Sequence, residues 1–228
     1  MFDKIYIISL RKDRERRQRV SERLLKVGIE YEFFDAYDGS LFNHIWNKLD
    51  NPIFTNPNYV ACALSHLAVY KDALENKYQK ILILEDDVIP HINYQHLITT
   101  LNIPDKYDLL YLGFIPLTDD CLYWNYNIIN DRFIDRNLFE AKNLWGLYAY
   151  SPSTDLMKEA IEKYKDSFPM EIDRWFVEDV QKRGLAYGIC PQLFCHDITH
   201  SNNTGYTDKT SFMKSIDGRY ATQNDYLI

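Results

Sequence analysis

The chain has 228 residues, 46% of them hydrophobic and 15% aromatic, which is enough to bury one core without disulfides or structural metal. Its formal net charge of −7 excludes broad binding to nucleic acid, which needs a basic face. No run approaches the ~20 apolar residues of a membrane span, and the start, MFDKIYIISLRKD, lacks a secretory pattern; a cytoplasmic protein is expected.

In chain order, Ile5-Tyr6-Ile7-Ile8 is a short, β-branched apolar run that predicts a buried strand. DRERRQRVSERLLKVG predicts a helix, with Val20, Leu24 and Leu25 at helical spacing and Gly28 closing it in a left-handed conformation. Tyr31 to Phe34 predicts a second strand, completing an opening β-α-β. The polar stretch from Gly39 to Asn58, with Pro52 and Pro57, predicts a long loop. Tyr59 to Glu75 predicts a helix with Ala63, Leu67, Tyr70 and Leu74 along one side. A strand beginning at Lys80 runs straight into Glu85-Asp86-Asp87. Further strands are expected at Leu109 to Leu112 and Leu144 to Tyr150, and helices from Pro152 to Tyr164 and from Glu171 to Gly184. Residues 116–140 read as irregular, and the chain after Pro191 as polar turns, with a polar segment from about 200. The expected class is α/β, as one domain over 1–228. The four cysteines, Cys62, Cys121, Cys190 and Cys195, form no C-x-x-C pair; that kind of zinc site has no support, and buried free thiols are expected.

The sharpest feature is KILILEDDVIP. Four consecutive apolar residues suit a central strand covered on both faces. Three carboxylates follow at the strand end, where open α/β sheets hold their ligands. Crowded acids raise one another's pKa unless a cation intervenes, and a hard divalent ion takes such oxygen ligands. That ion would stabilise the charge developing on a diphosphate leaving group. By strand parity, Glu85 and Asp87 point together and Asp86 elsewhere. The plain alternative is a solvated strand end whose acids cap the next turn.

IYIISLRKDRERR, EFFDAYDG, ACALSHLAVYKDAL, ILEDDV, LWGLYAYSP and MEIDRWF, in this order and spacing, resemble glycosyltransferase family 25, the lipooligosaccharide and procollagen galactosyltransferases. Two positions depart from its pattern: Ser9 stands for the usual Asn and Ala61 for the usual Gly. The resemblance implies a single-domain GT-A type fold, a Rossmann-like mixed, mainly parallel sheet with helices on both faces. It implies inverting transfer of galactose, or glucose as second choice, from a UDP-sugar to an acceptor hydroxyl, with Mn²⁺ (or Mg²⁺). The acceptor class is a saccharide such as a lipooligosaccharide, or hydroxylysine in a collagen-like protein. A non-catalytic nucleotide-sugar binder on the same scaffold is the alternative of another class. The lack of a span leaves room for peripheral membrane association.

The resemblance distributes roles among the residues. Asp87 is the first metal ligand, with Glu85 and His200; His196 competes with His200. Glu85 and Asp86 face the donor, and Leu10, Arg11, Arg14, Ser65 and His66 line its pocket. Arg11 and Arg14 lie where the first strand enters its helix, a place that attracts phosphate. Arg16, Arg17 and Arg19 alternate with acids as on an ordinary solvated helix face. Inversion in one displacement needs a base, and Asp173 is the candidate, with Glu178 and Asp179 as rivals. Trp145, Tyr148 and Tyr150 suit either sugar stacking or the core. The 39–58 loop is expected to close over the donor, and 116–140 to meet the acceptor.

Overall fold

The computed structural model describes residues 1–42, 57–120, 125–197 and 222–227. Strand β1 (Lys4–Ser9) leads into helix α1 (Arg14–Lys26) and strand β2 (Glu32–Asp35). A 3-10 turn, Gly39–Phe42, is followed by α2 (Pro57–Glu75), β3 (Ile81–Glu85), β4 (Val88–Pro90) and α3 (Tyr94–Thr100). Then come β5 (Leu109–Pro116), β6 (Phe133–Asp135), β7 (Leu138–Glu140), β8 (Leu144–Pro152), α4 (Thr154–Lys163), α5 (Ile172–Glu178), β9 (Ala186–Ile189) and β10 (Phe194–His196).

The main sheet has the order β2-β1-β3-β8-β5-β9-β7-β6, and β4 pairs with β10 in a small second ladder. Strands β2, β1, β3, β5, β9 and β6 run one way; β8 and β7 run against them. The expected mixed, mainly parallel sheet is therefore present. Helices cover both faces, as alternation along the strands requires. Tyr6, Ile8, Ile81 and Ile83 join the core beneath α2, α4 and α5, with Leu67, Tyr70, Met157 and Trp175. Ile7, Leu82 and Leu84 join the core beneath α1 and α3, with Val20, Leu24, Tyr94 and Ile98.

Local chemistry explains the helix ends. Gly28 is left-handed at φ +67°, Ile29 N donates to the Leu24 carbonyl at 3.1 Å and Gly28 N to that of Leu25 at 3.1 Å. This double bond pattern with a glycine closes α1, and Ile29 packs in the same core as Leu24. Leu25, expected on the buried side, is 78% exposed, because the stripe through Val20 and Leu24 turns it outward. Ser153 caps α4 by accepting from Leu156 N at 3.1 Å.

Several expected boundaries shift. The 116–140 segment is less irregular than composition suggests: it carries the Tyr126–Arg132 3-10 helix and the β6–β7 hairpin. The helix expected up to Gly184 stops at Glu178 and continues as a 3-10 turn, Val180–Arg183, with Gly184 left-handed at φ +78°. The stretch after Pro191 contains buried β10, whose Phe194-Cys195-His196 is too short to show a period. The bulk of the 39–58 loop lies outside the described residues.

Gly113 in β5 sits where a side chain has no room. A Cβ there would stand 2.3 Å from the Tyr148 ring and 2.6 Å from the Phe194 carbonyl oxygen. Gly113→Ala should therefore lower stability by about 1–3 kcal/mol through overpacking. The urea midpoint checks this, and an unchanged midpoint would show that β5 and β8 have room to part.

Candidate active site

Register sets the site. Ser9 pairs with Asp35 and Ile8 with Glu85, so β2, β1 and β3 finish level with one another. The chain then turns through Asp86 and Asp87 into β4. Helix α2 lays Ala61, Cys62, Ser65 and His66 along this edge at helical spacing, and Tyr37 to Ser40 close one side. Together they line a crevice of about 300 Å³ that also takes in Leu10, Lys12 and Arg16.

Asp86 is 7% exposed and fully engaged: Ser9 Oγ donates to it at 2.6 Å and Arg16 Nε at 2.7 Å. Ser9, in place of the family's Asn, thus has a definite partner. Arg16 Nη2 also stands 3.3 Å from Asp87 Oδ2. Asp87 Oδ1 is buried and lacks a hydrogen-bond partner among the described residues. Burial first and the Glu85 charge second push the Asp87 carboxyl up, while Arg16 pulls it back. An orphaned carboxylate oxygen beside a second carboxylate fits a hard divalent cation. Glu85 leans away from this pair, with Oε1 3.5 Å from His66 Nε2. Strand parity ends with β3 at Glu85, so the guanidinium groups Asp86 with Asp87 and leaves Glu85 to α2.

Of the residues expected at the donor pocket, Leu10, Ser65, His66, Glu85, Asp86 and Asp87 line the crevice. Ser65 Oγ accepts from Tyr37 N at 2.9 Å and donates to the Ala61 carbonyl at 2.7 Å, fixing the rim. His66 is fully buried, with Nδ1 2.8 Å from the Tyr150 hydroxyl. Arg11 and Arg14 are exposed and are not among the lining residues. Arg16, read as a solvated position, takes the crevice instead. Arg14 and Arg16 stand about 200° apart around a helix, so one of them at most faces inward. The signal was in the spacing: Arg16, Val20 and Leu24 form an i, i+4, i+8 stripe whose apolar members are fully buried. Arg17 ties two strand ends together, donating through Nη2 to the Ser9 carbonyl at 2.8 Å and pairing with Asp35 at 2.5 Å.

Asp173 lies in the first turn of α5, where Glu171 rather than Asp173 holds the N-cap position. Burial chiefly, with Glu171 and Glu85 adding repulsion, lifts its carboxyl to about 6. Its charge also bears on Cys62, although Asp173 is not one of the crevice-lining residues. Its rivals face solvent: Glu178 pairs with Arg174 at 2.6 Å, and Asp179 accepts from Trp175 Nε1 at 3.0 Å and pairs with Arg183. His200 lies outside the described residues. His196 sits in β10 opposite Val88, buried, and burial lowers its pKa to about 4; it feels the Glu85 charge. Next to it, Asp197 N donates to the Asp87 carbonyl at 2.7 Å. Tyr148 and Tyr150 are core residues, while the half-buried Trp145 donates to Asn143 Oδ1 at 2.7 Å.

A ligand crevice lined with acids at the carboxyl ends of parallel strands defines an α/β protein built to bind a polar, charged ligand at its sheet edge. The chain belongs to glycosyltransferase family 25: the model of that family, described as "Glycosyltransferase family 25 (LPS biosynthesis protein)", matches residues 2–119, more than half of the sequence. Mouse procollagen galactosyltransferase 2 is 30% identical over 129 residues, covering 49% of this chain and 21% of that protein. A putative glycosyltransferase of Haemophilus influenzae is 32% identical over 113 residues, covering 47% of this chain and 40% of the other. The matches thus span between about a fifth and two fifths of these relatives' lengths. A solved glycosyltransferase involved in glycosylating the major capsid of PBCV-1 is similar at a TM-score of 0.48 and 11% identity, over 87% of this chain and 93% of that one. All the crevice-lining residues fall within the matched stretch, whereas Asp173 and His196 lie beyond it.

Removing the guanidinium should expose how much the site depends on it. Arg16 and Asp86 side chains are 15% and 8% exposed. Arg16→Gln leaves Asp86 without its cation and should cost about 3–5 kcal/mol. Arg11→Gln and Arg14→Gln should stay within about 0.5 kcal/mol of the parent. Urea denaturation of the three variants makes the comparison.

Proposed function

We propose that this chain transfers a hexose, galactose first and glucose second, from a UDP-sugar to an acceptor hydroxyl with inversion. What carries the reading is the convergence of Glu85, Asp86 and Asp87 with Arg16 in one crevice of a family 25 chain. Asp87 and Glu85 would hold a Mn²⁺ or Mg²⁺, with a late histidine, His200 or His196, beside them. The ion, when bound, supplies Lewis-acid stabilisation for the departing diphosphate. Arg16 holds Asp86 and Asp87 in place, and Lys12, paired with Asp38 at the rim, adds positive charge where phosphates would enter. Ser65 and His66 shape the donor side. Asp173 takes the proton of the acceptor hydroxyl as the new bond forms.

The acceptor is a saccharide such as a lipooligosaccharide, or else hydroxylysine in a collagen-like protein, as the mouse relative's name suggests for that protein. Among the described residues no helix is long and apolar enough to cross a membrane. That accords with a cytoplasmic enzyme, or one working at a membrane face. One observation favours a second reading, a non-catalytic nucleotide-sugar binder: Arg16 already answers the charge of Asp86 without a metal.

UDP release from UDP-galactose, UDP-glucose and UDP-N-acetylhexosamines, with and without Mn²⁺, separates the readings. Metal-dependent release is expected, with Asp87→Asn reducing it by at least about a hundredfold, several kcal/mol of lost transition-state stabilisation. Donor binding without release supports the binder, and normal turnover of Asp87→Asn removes the assigned metal role.

The base should show itself in the pH profile. Asp173 must be ionised to accept a proton, and its carboxyl sits at about 6, above the usual carboxylate range. Below that value kcat/KM should therefore fall about tenfold per pH unit. Asp173→Asn should lower kcat by roughly 10²–10⁴ and abolish that limb. A limb that survives the substitution assigns the proton to another group.

A further inference from the structure

Three side chains in the crevice do more than line it. Cys62 and His66 stand one helical turn apart on α2, and Glu85 ends β3 directly across from them. The cysteine Sγ, a histidine ring nitrogen and a carboxylate oxygen all lie within 4.8 Å of one another. Among the described residues, no other such cluster of histidine, cysteine and acid ligands occurs. His66 is 0% exposed, yet its Nε2 has no hydrogen-bond partner among the described residues. The other ring nitrogen, Nδ1, is held by the Tyr150 hydroxyl at 2.8 Å, which is in turn 2.6 Å from the Tyr70 hydroxyl. With Nδ1 donating its proton to the Tyr150 hydroxyl, the ring would be oriented through one nitrogen and Nε2 left as the ligand, the way proteins prepare an imidazole for a metal.

We propose that Cys62 Sγ, His66 Nε2 and a Glu85 carboxylate oxygen form a site for a borderline-soft divalent cation of the zinc class. Tetrahedral bonds of about 2.0–2.3 Å place ligand atoms roughly 3.3–3.6 Å apart. His66 Nε2 and Glu85 Oε1 already stand 3.5 Å apart. Glu85 is 30% exposed on its side chain, and closing the set from within 4.8 Å would take an inward turn of the carboxylate and thiol. Because all three line the crevice, solvent supplies the fourth ligand, the arrangement of open three-ligand zinc sites. On binding, Cys62 releases its thiol proton to that solvent and coordinates as thiolate. Thiolate and imidazole distinguish the site from the oxygen-lined position at Asp87, which suits Mn²⁺ or Mg²⁺. The two share Glu85. On the reading given under Proposed function, zinc therefore opposes the donor's metal by taking this carboxylate away; the binding itself does not rest on that reading.

Cobalt provides a spectroscopic probe that reads ligands rather than turnover. Metal-free, folded protein titrated with Co²⁺ should develop, at one equivalent, the near-ultraviolet sulfur-to-cobalt charge-transfer band and the strong visible bands of a four-coordinate ion. One equivalent of Zn²⁺ should erase both, and the same concentration of Mn²⁺ should erase neither. Cys62→Ser should lose the near-ultraviolet band, whereas Cys121→Ser keeps it. Glu85→Gln, at a partly exposed position, should retain the band while weakening Zn²⁺ binding at least about tenfold. Tyr150→Phe should weaken it by about 10–100-fold, the usual cost of losing an outer partner. Absence of the charge-transfer band in the folded parent at saturating Co²⁺, or its persistence in Cys62→Ser, overturns the proposal. Either result leaves the glycosyltransferase reading untouched, since no sugar donor enters the experiment.

Discussion

A carboxylate taken out of water must be given a cation or a proton, and the crevice is organised around that demand. Asp86 has its cation in Arg16 and its hydrogen bond in Ser9. Asp87 has only part of the same guanidinium, at 3.3 Å, and one oxygen with no donor among the described residues. The three neighbouring acids are thus not equivalent. One is compensated within the chain, one is left short of charge, and Glu85 is turned to the helix opposite. A site that wants exactly as much positive charge as a ligand brings is better suited to capture than one fully neutralised at rest.

The surrounding fold makes this imbalance durable. The turn after β3 is anchored on both sides, by Ser9 and Arg16 from the β1–α1 passage and by Asp197 N on the Asp87 carbonyl. Asp197 is held in turn by Arg23 of α1 at 3.1 Å. Helix α1 therefore reaches the acid turn twice, through Arg16 directly and through Arg23 and Asp197. On the opposite face, a line of hydroxyls from Tyr70 through Tyr150 fixes His66, and the same core carries α5 with Asp173. The two cores on either side of the sheet contribute different chemistry to one edge: a guanidinium from α1, a thiol and an imidazole from α2.

How much of this was legible in the residues depended on the length of the signal. Runs such as ILIL and the stripe of α2 gave their elements plainly, and the strand-end position of Glu85 to Asp87 followed from them. Three-residue strands such as β4 and β10 carry no period, and they escaped notice although they bring His196 beside the acids. The arginines sort differently for another reason. Proximity to the helix start favoured Arg11 and Arg14, but the direction in which a helix presents its side chains is set by its buried stripe, and Val20 and Leu24 put Arg16 on the inner side. Cysteine-to-cysteine spacing carries no mark of a thiol that lies near a histidine on its own helix and an acid on a distant strand.

The level finish of β2, β1 and β3 has a consequence for how such a crevice changes. Its floor is positioned by ladder bonds between main chains, which no side chain owns. Glu85 projects from that floor and Cys62 from α2. A single side chain at this edge is then open to exchange while the main-chain platform beneath keeps its shape.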